Sequence, residues 1–203
     1  MKKKLNLLLL MSVMLFMISC STKYVPLETT GITVSDDYAI LKTKDYSFAV
    51  ENKYWIKDPQ DITDYFTTFY VTIKNKRSEK MEISPSDIGL LDEDCNQFDV
   101  VGMEYIENML LPEQLKYLVL TNIEDEANEV ESLLEDQKNI LEDWREAKKN
   151  LITYSFQFGS ILPNAQKSGF IFFPRLSSQN DFCQIVFRNT QIKFIRNDVK
   201  KKE

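Results

Sequence analysis

Among the side chains that do most covalent and metal chemistry, this sequence has three cysteines and no histidine. Without His the commonest general base and the commonest neutral metal ligand are gone, and most hydrolase triads and zinc sites go with them. Cys95 or Cys183 as a nucleophile would have no imidazole to activate it. Asp92-x-Asp94-x-Asn96 sets oxygen ligands at alternate positions, as a calcium loop opens. However, Gln97 stands where Gly makes the sharp turn, and Met103 stands where a bidentate Glu would close the shell. The segment reads as a solvated hairpin turn, with Asp92, Asp94 and Asn96 as candidates for an improvised calcium site that would also use Asp99 or Glu104. The 31 Asp and Glu residues show no spacing that singles out a catalytic pair. Five glycines supply no phosphate-cradling loop, so no cofactor is expected, and a net charge of −6 gives no footprint for nucleic acid.

One cysteine does sit in chemical context. Lys2, Lys3 and Lys4 precede an apolar stretch from Leu5 to Ser19 that is too short for a spanning helix and has the outline of an export signal. It closes on Met17-Ile18-Ser19-Cys20, which resembles the bacterial lipobox, with Met17 where Leu is usual. The reading that follows is a signal peptide over residues 1–19, removed so that Cys20 becomes a lipidated N-terminus. The remaining chain is acidic and is not drawn to anionic headgroups, so its attachment to the membrane must come from the acyl chains. Ser21 after the cysteine resembles the outer-membrane sorting pattern of two-membrane bacteria. The expected location is therefore the cell membrane or outer membrane, on the extracytoplasmic side. In that oxidising compartment Cys95 and Cys183 can form a disulfide or remain two separate thiols; spacing does not decide between them.

The elements that must carry these residues follow from periodicity. Residues 20–37 are polar, contain Pro26 and Gly31, and read as a tether. From Tyr38 onward period-two alternation predicts strands at 46–50, 69–74, 81–84, 88–91, 98–101, 152–158, 169–174, 182–187 and 192–195. Phe69, Val71, Ile73, Phe170, Phe172 and Val186 are expected to share one core. Residues 103–151 interrupt the strands with a helical insertion. Thr121 to Asn150 carries a capping box at Thr121 and Glu124, acidic residues in its first turn and basic ones in its last. Its apolar stripe includes Val130, Leu133, Leu134, Ile140, Leu141 and Trp144. Met103 to Leu120 offers Tyr105, Met109, Leu110, Leu115 and Leu118 as a face that can fold back on it as a hairpin.

Three stretches together resemble a known family: Phe69 to Asn75, Ile88-Gly89-Leu90-Leu91-Asp92, and Pro163 through Gly169 to Pro174. They are similar to the extracellular immunoglobulin-like domain of unknown function common in bacterial lipoproteins, although the Leu-Asp turn lacks its usual Gly and the family has no such helix. The resemblance implies a mainly β chain, an immunoglobulin-like antiparallel β-sandwich spanning residues 38–203, and no particular activity. The expected function is a lipid-anchored, non-catalytic binding or scaffold module of the cell envelope. It would meet an envelope protein or another copy of itself through the inserted helix. The alternative is an envelope enzyme or a ligand- or calcium-binding protein with dispersed carboxylates and aromatics on its loops.

Overall fold

In β5 (Phe66–Asn75), Phe69, Val71 and Ile73 are fully buried while Tyr70 and Thr72 are half-buried, the period-two pattern of a strand with one face on a core. The same logic recurs along the chain in this computed structural model, which describes residues 23–113, 115 and 130–200. The remaining strands are β1 (Tyr24–Pro26), β2 (Ile32–Ser35), β3 (Tyr38–Lys42), β4 (Tyr46–Asn52), β6 (Met81–Ile83), β7 (Ile88–Leu91), β8 (Gln97–Asp99), β9 (Gly159–Ile161), β10 (Gln166–Pro174), β11 (Phe182–Phe187) and β12 (Thr190–Arg196). The helices are α1 (Ile62–Tyr65), α2 (Met103–Leu110), α3 (Val130–Tyr154) and α4 (Asn197–Lys200).

The strands form two antiparallel five-stranded sheets, ordered β1-β12-β11-β7-β8 and β10-β5-β4-β3-β2, with β6 and β9 paired separately. Their inner faces share one apolar core. Phe48 of β4 stacks on Phe187 of β11 at 4.3 Å, and Phe69 of β5 meets Phe194 of β12 edge-on at 5.3 Å, so aromatic pairs join the two sheets. The chain is thus mainly β, with antiparallel sheets arranged as in a sandwich. Asn75 ends β5 as a buried clamp: its amide donates to the carbonyls of Glu79, Ile161 and Leu162, and its Oδ1 accepts from the Arg77 N–H.

A second core lies on the outer face of β5 and β10. Trp55, Ile62, Phe66, Ile106, Leu151, Phe170 and Phe172 pack there, with Trp55 and Phe170 ring centroids 5.2 Å apart. This corrects the expected core. Phe170 and Phe172 belong to the helical side, and their strand contributes Ile171 and Phe173 to the sandwich interior. Val186 is likewise half-buried, while Cys183, Ile185 and Phe187 point inward. The physical reason for β10 is that it is covered on both faces, so all four residues 170–173 are apolar and alternation carries no register.

Two further expectations change. The tether drawn over 20–37 is much shorter, because Tyr24 to Pro26 already pairs with β12 and Ile32 to Ser35 pairs with β3. β1 has only three residues and ends in Pro26, and β2 is short and half polar, which is why both read as loop. The strand expected at 152–158 is replaced by the end of α3, which runs to Tyr154. Ala147 and Leu151, one helical turn apart, are buried, so helical period continues through this stretch. The Ser155 N–H and hydroxyl both bond back to the Leu151 carbonyl, and Phe156 then crosses β10, its N–H donating to the Phe170 carbonyl at 2.7 Å. Pairing as a strand resumes at Gly159.

Candidate functional site

The helical side builds a concavity whose dimensions suit a ligand. Val130 to Tyr154 contains neither Gly nor Pro, so nothing interrupts its helix. The helix is fastened near its end by buried Ala147 and Leu151, by a 2.7 Å ion pair from Lys148 to Glu107 of α2, and by the Asn150 side-chain amide donating to the Asp58 carbonyl. One turn earlier, α3 stands against the Asp58-Pro59 segment and the end of α2, leaving a cleft of about 540 Å³. That is within the size range of ordinary ligand pockets.

The cleft has an apolar floor of Leu110, Pro112, Ile140, Trp144 and Ala147. Its rim holds four carboxylates, Asp58, Asp61, Asp143 and Glu146, all on exposed residues, and among the described residues no cationic side chain lines it. Positions 140, 143, 144 and 147 share one helical face by their i, i+3, i+4, i+7 spacing. A concave apolar surface with a half-buried indole, surrounded by negative charge, suits a group that is apolar in body and cationic at its edge. A smaller recess of about 100 Å³ lies at the end of the sandwich where β1 begins, lined by Tyr24, Asn52, Tyr54, Asp64, Arg175 and Ser177 among others. Burial raises the Tyr24 phenol well above its ordinary pKa, so it stays a neutral donor to the Asn180 carbonyl.

The residues singled out from the sequence are distributed as follows. Ile140 and Trp144 line the cleft; Leu141 is half-buried beside them. The side chains of Val130, Leu133 and Leu134, the capping residues Thr121 and Glu124, Leu118, and Cys20 lie outside the described residues. On α2 the expected face is corrected: Tyr105 is exposed and Ile106 is the buried residue, with Leu110 facing the cleft. Asp92 turns inward, accepting from both the Asn96 N–H and the Asn96 side-chain amide at 2.8 Å. These bonds hold its carboxyl below the usual range and leave it fixing the β7–β8 hairpin, while Asp94 is exposed. No three His, Cys, Asp or Glu residues among those described are placed to share a metal ion.

Cys95 is exposed at the hairpin tip with φ 65°, and Cys183 is buried in the sandwich core; both are free thiols, so the possible disulfide is not formed. Burial alone pushes the Cys183 thiol far above its ordinary pKa, making it an inert packing group. Sequence reasoning missed Asp58, Pro59 and Asp61. Their only signal was turn chemistry, Asp-Pro-Gln-Asp, which marks a loop without saying what it faces. No helix among the described residues is long and apolar enough to cross a membrane. Comparison with known proteins found no matching family model, no matching curated protein and no matching solved structure.

Proposed function

We propose that this chain is a lipid-anchored, extracytoplasmic binding module of the bacterial cell envelope, with an immunoglobulin-like sandwich as scaffold and the inserted helical segment as its contact surface. The observation that carries the reading is the acid-rimmed cleft, where Ile140 and Trp144 of the predicted stripe come together with Leu110 and Pro112. The space between the two sheets is a packed apolar core, so the contact surface falls to the elements around it. The lipobox-like tetrapeptide ending at Cys20 supports anchoring by acyl chains, and the four rim carboxylates support a basic, amphipathic segment of an envelope protein as the partner.

The test is photo-crosslinking in the native envelope. A photoreactive residue in place of Ile140 should give a discrete adduct that disappears when Asp143→Lys and Glu146→Lys are added. The same residue in place of Thr33, on the exposed edge strand β2, should give none. Adducts at both positions, or an adduct at 140 that survives the charge reversal, contradict the reading. The volume of the cleft also favours a second reading, a small cationic ligand held over Trp144. In that case charge reversal weakens ligand binding while no protein adduct forms.

A further inference from the structure

The chain is fixed to the fold almost as soon as it leaves Cys20. The Lys23 carbonyl accepts from the Asn197 N–H at 2.9 Å, the Tyr24 N–H donates to Asn52 Oδ1 at 2.8 Å, and Tyr24 pairs with Arg196. Only Ser21 and Thr22 lie between Cys20 and Lys23, and the three residue steps span at most about 11 Å when fully extended. The headgroup layer on each side of a bilayer is itself roughly 5–8 Å deep. A body pinned at Lys23 therefore has no room to stand clear of the membrane that holds its acyl chains.

The part of the body at that end is identifiable. β4 finishes at Asn52 beside Tyr24, β5 begins at Phe66, and residues 53–65 form the tip between them. Asp64 and Arg175 share the recess with Tyr24, and the Tyr65 carbonyl accepts from the Arg175 N–H. On this tip Ile56 is 79% exposed and Tyr65 46% exposed, the former the most exposed large apolar side chain described. Lys57 and Arg175 stand nearby without a carboxylate partner among the described residues: Lys57 lies over the Tyr154 ring and Arg175 donates to the Asp64 carbonyl. An aliphatic side chain and a tyrosine flanked by Lys and Arg is the composition that settles at a membrane interface.

We propose that this tip, through Ile56 and Tyr65, is seated in the headgroup layer of the bilayer that anchors Cys20, so that a phospholipid surface is its partner. The proposal rests on the acylation of Cys20 and adds the orientation of the body. Asp58, Asp61 and Asp64, with Glu51 paired to Lys53, keep the tip from being a basic patch, and Asp58 and Asp61 also rim the cleft beside it. Insertion of apolar groups, rather than attraction to anionic lipid, is therefore the driving contribution, and the contact is insensitive to salt.

The experiment uses the full acylated protein carrying Cys95→Ser, with Ile56→Cys labelled by a nitrobenzoxadiazole dye, in phosphatidylcholine vesicles. Lys44→Cys, in the turn at the far end of β4, is the control; that strand is about 20 Å long. The label at 56 should shift to the blue and be quenched by headgroup-level spin-labelled lipid, the label at 44 should do neither, and added salt should change nothing. Equal exposure of both labels to water, on protein whose mass shows an acylated Cys20, overturns the seating alone. A mass showing unmodified Cys20 overturns it together with the anchor on which it rests.

Discussion

Gly169→Ala should destabilise this protein strongly although glycine to alanine in a strand is ordinarily mild or favourable. A Cβ built at Gly169 would lie 2.5 Å from the Phe156 nitrogen, 2.6 Å from the Phe156 Cα and 2.6 Å from the Ser155 carbonyl carbon. All three are backbone atoms of the segment that crosses β10 after α3, so no rotamer change relieves the contact. The crossing has to lift away. Doing so breaks the Phe156 N–H bond to the Phe170 carbonyl, worth about 1 kcal/mol net, and pulls Phe156, 4% exposed, part of the way out of the core. Adding partial loss of a phenyl burial of about 1.5–3 kcal/mol gives an expected cost of roughly 2–4 kcal/mol. At this chain length that corresponds to a drop in melting temperature of about 5–15 °C. Gly89→Ala is the control, because its added Cβ would find only the Phe98 carbonyl oxygen at an ordinary 3.8 Å; it should be neutral or slightly stabilising. Thermal and urea melts of the two variants give the comparison. A Gly169→Ala protein within about 0.5 kcal/mol of wild type would refute the crossing and, with it, the placement of α3 on the sandwich.

The register of β11 is tested by a pair of neighbours: Ile185→Lys, at a position with no exposure, should unfold the domain, whereas Val186→Lys should cost less than about 1 kcal/mol in a urea melt. The native protein should expose one reactive thiol, Cys95, to a thiol reagent, and Cys183 only on unfolding; the absence of any native thiol titre outside Cys20 would contradict the two free cysteines. Since the Asn96 bonds depress the Asp92 pKa in the folded state, their contribution is present above the unfolded carboxylate value near 4 and is lost as pH falls through the folded value. The stability difference between wild type and Asp92→Asn should accordingly be constant above about pH 5 and shrink below it; a difference that grows on acidification would contradict the hairpin geometry.

The sequence made the sandwich legible where a strand is covered on one face only. In β5 the alternation of Phe69, Val71 and Ile73 with half-buried residues both locates the strand and orients it. In β10 the run Phe170 to Phe173 locates a strand but not its register, because helices cover the side away from the sandwich and both faces must be apolar. Tyr154, Phe156 and Phe158 alternate for a different reason: the first ends a helix against Trp55, and the next two pack edge-on against each other where the chain leaves the helix and crosses β10. β1 was not legible, since its three residues are held by Asn52 and β12, partners distant in sequence. Of the cleft, the sequence revealed the wall formed by Ile140 and Trp144 through helical spacing. The opposite wall at Asp58 and Asp61 is brought there by tertiary packing around Trp55 and Asn150, which no local pattern encodes.

The proposed anchor stands or falls on the mass of the N-terminal peptide of the protein taken from its native membrane. The account predicts a chain beginning at Cys20 with a diacylglyceryl group on its sulfur, whose acyl chains are lost on alkaline hydrolysis. It also predicts that Cys20→Ala leaves an unlipidated precursor. A mature chain that begins at Met1, or one in which Cys20 carries a free thiol, would contradict the anchor, the short leash to Lys23 and the envelope role argued from them.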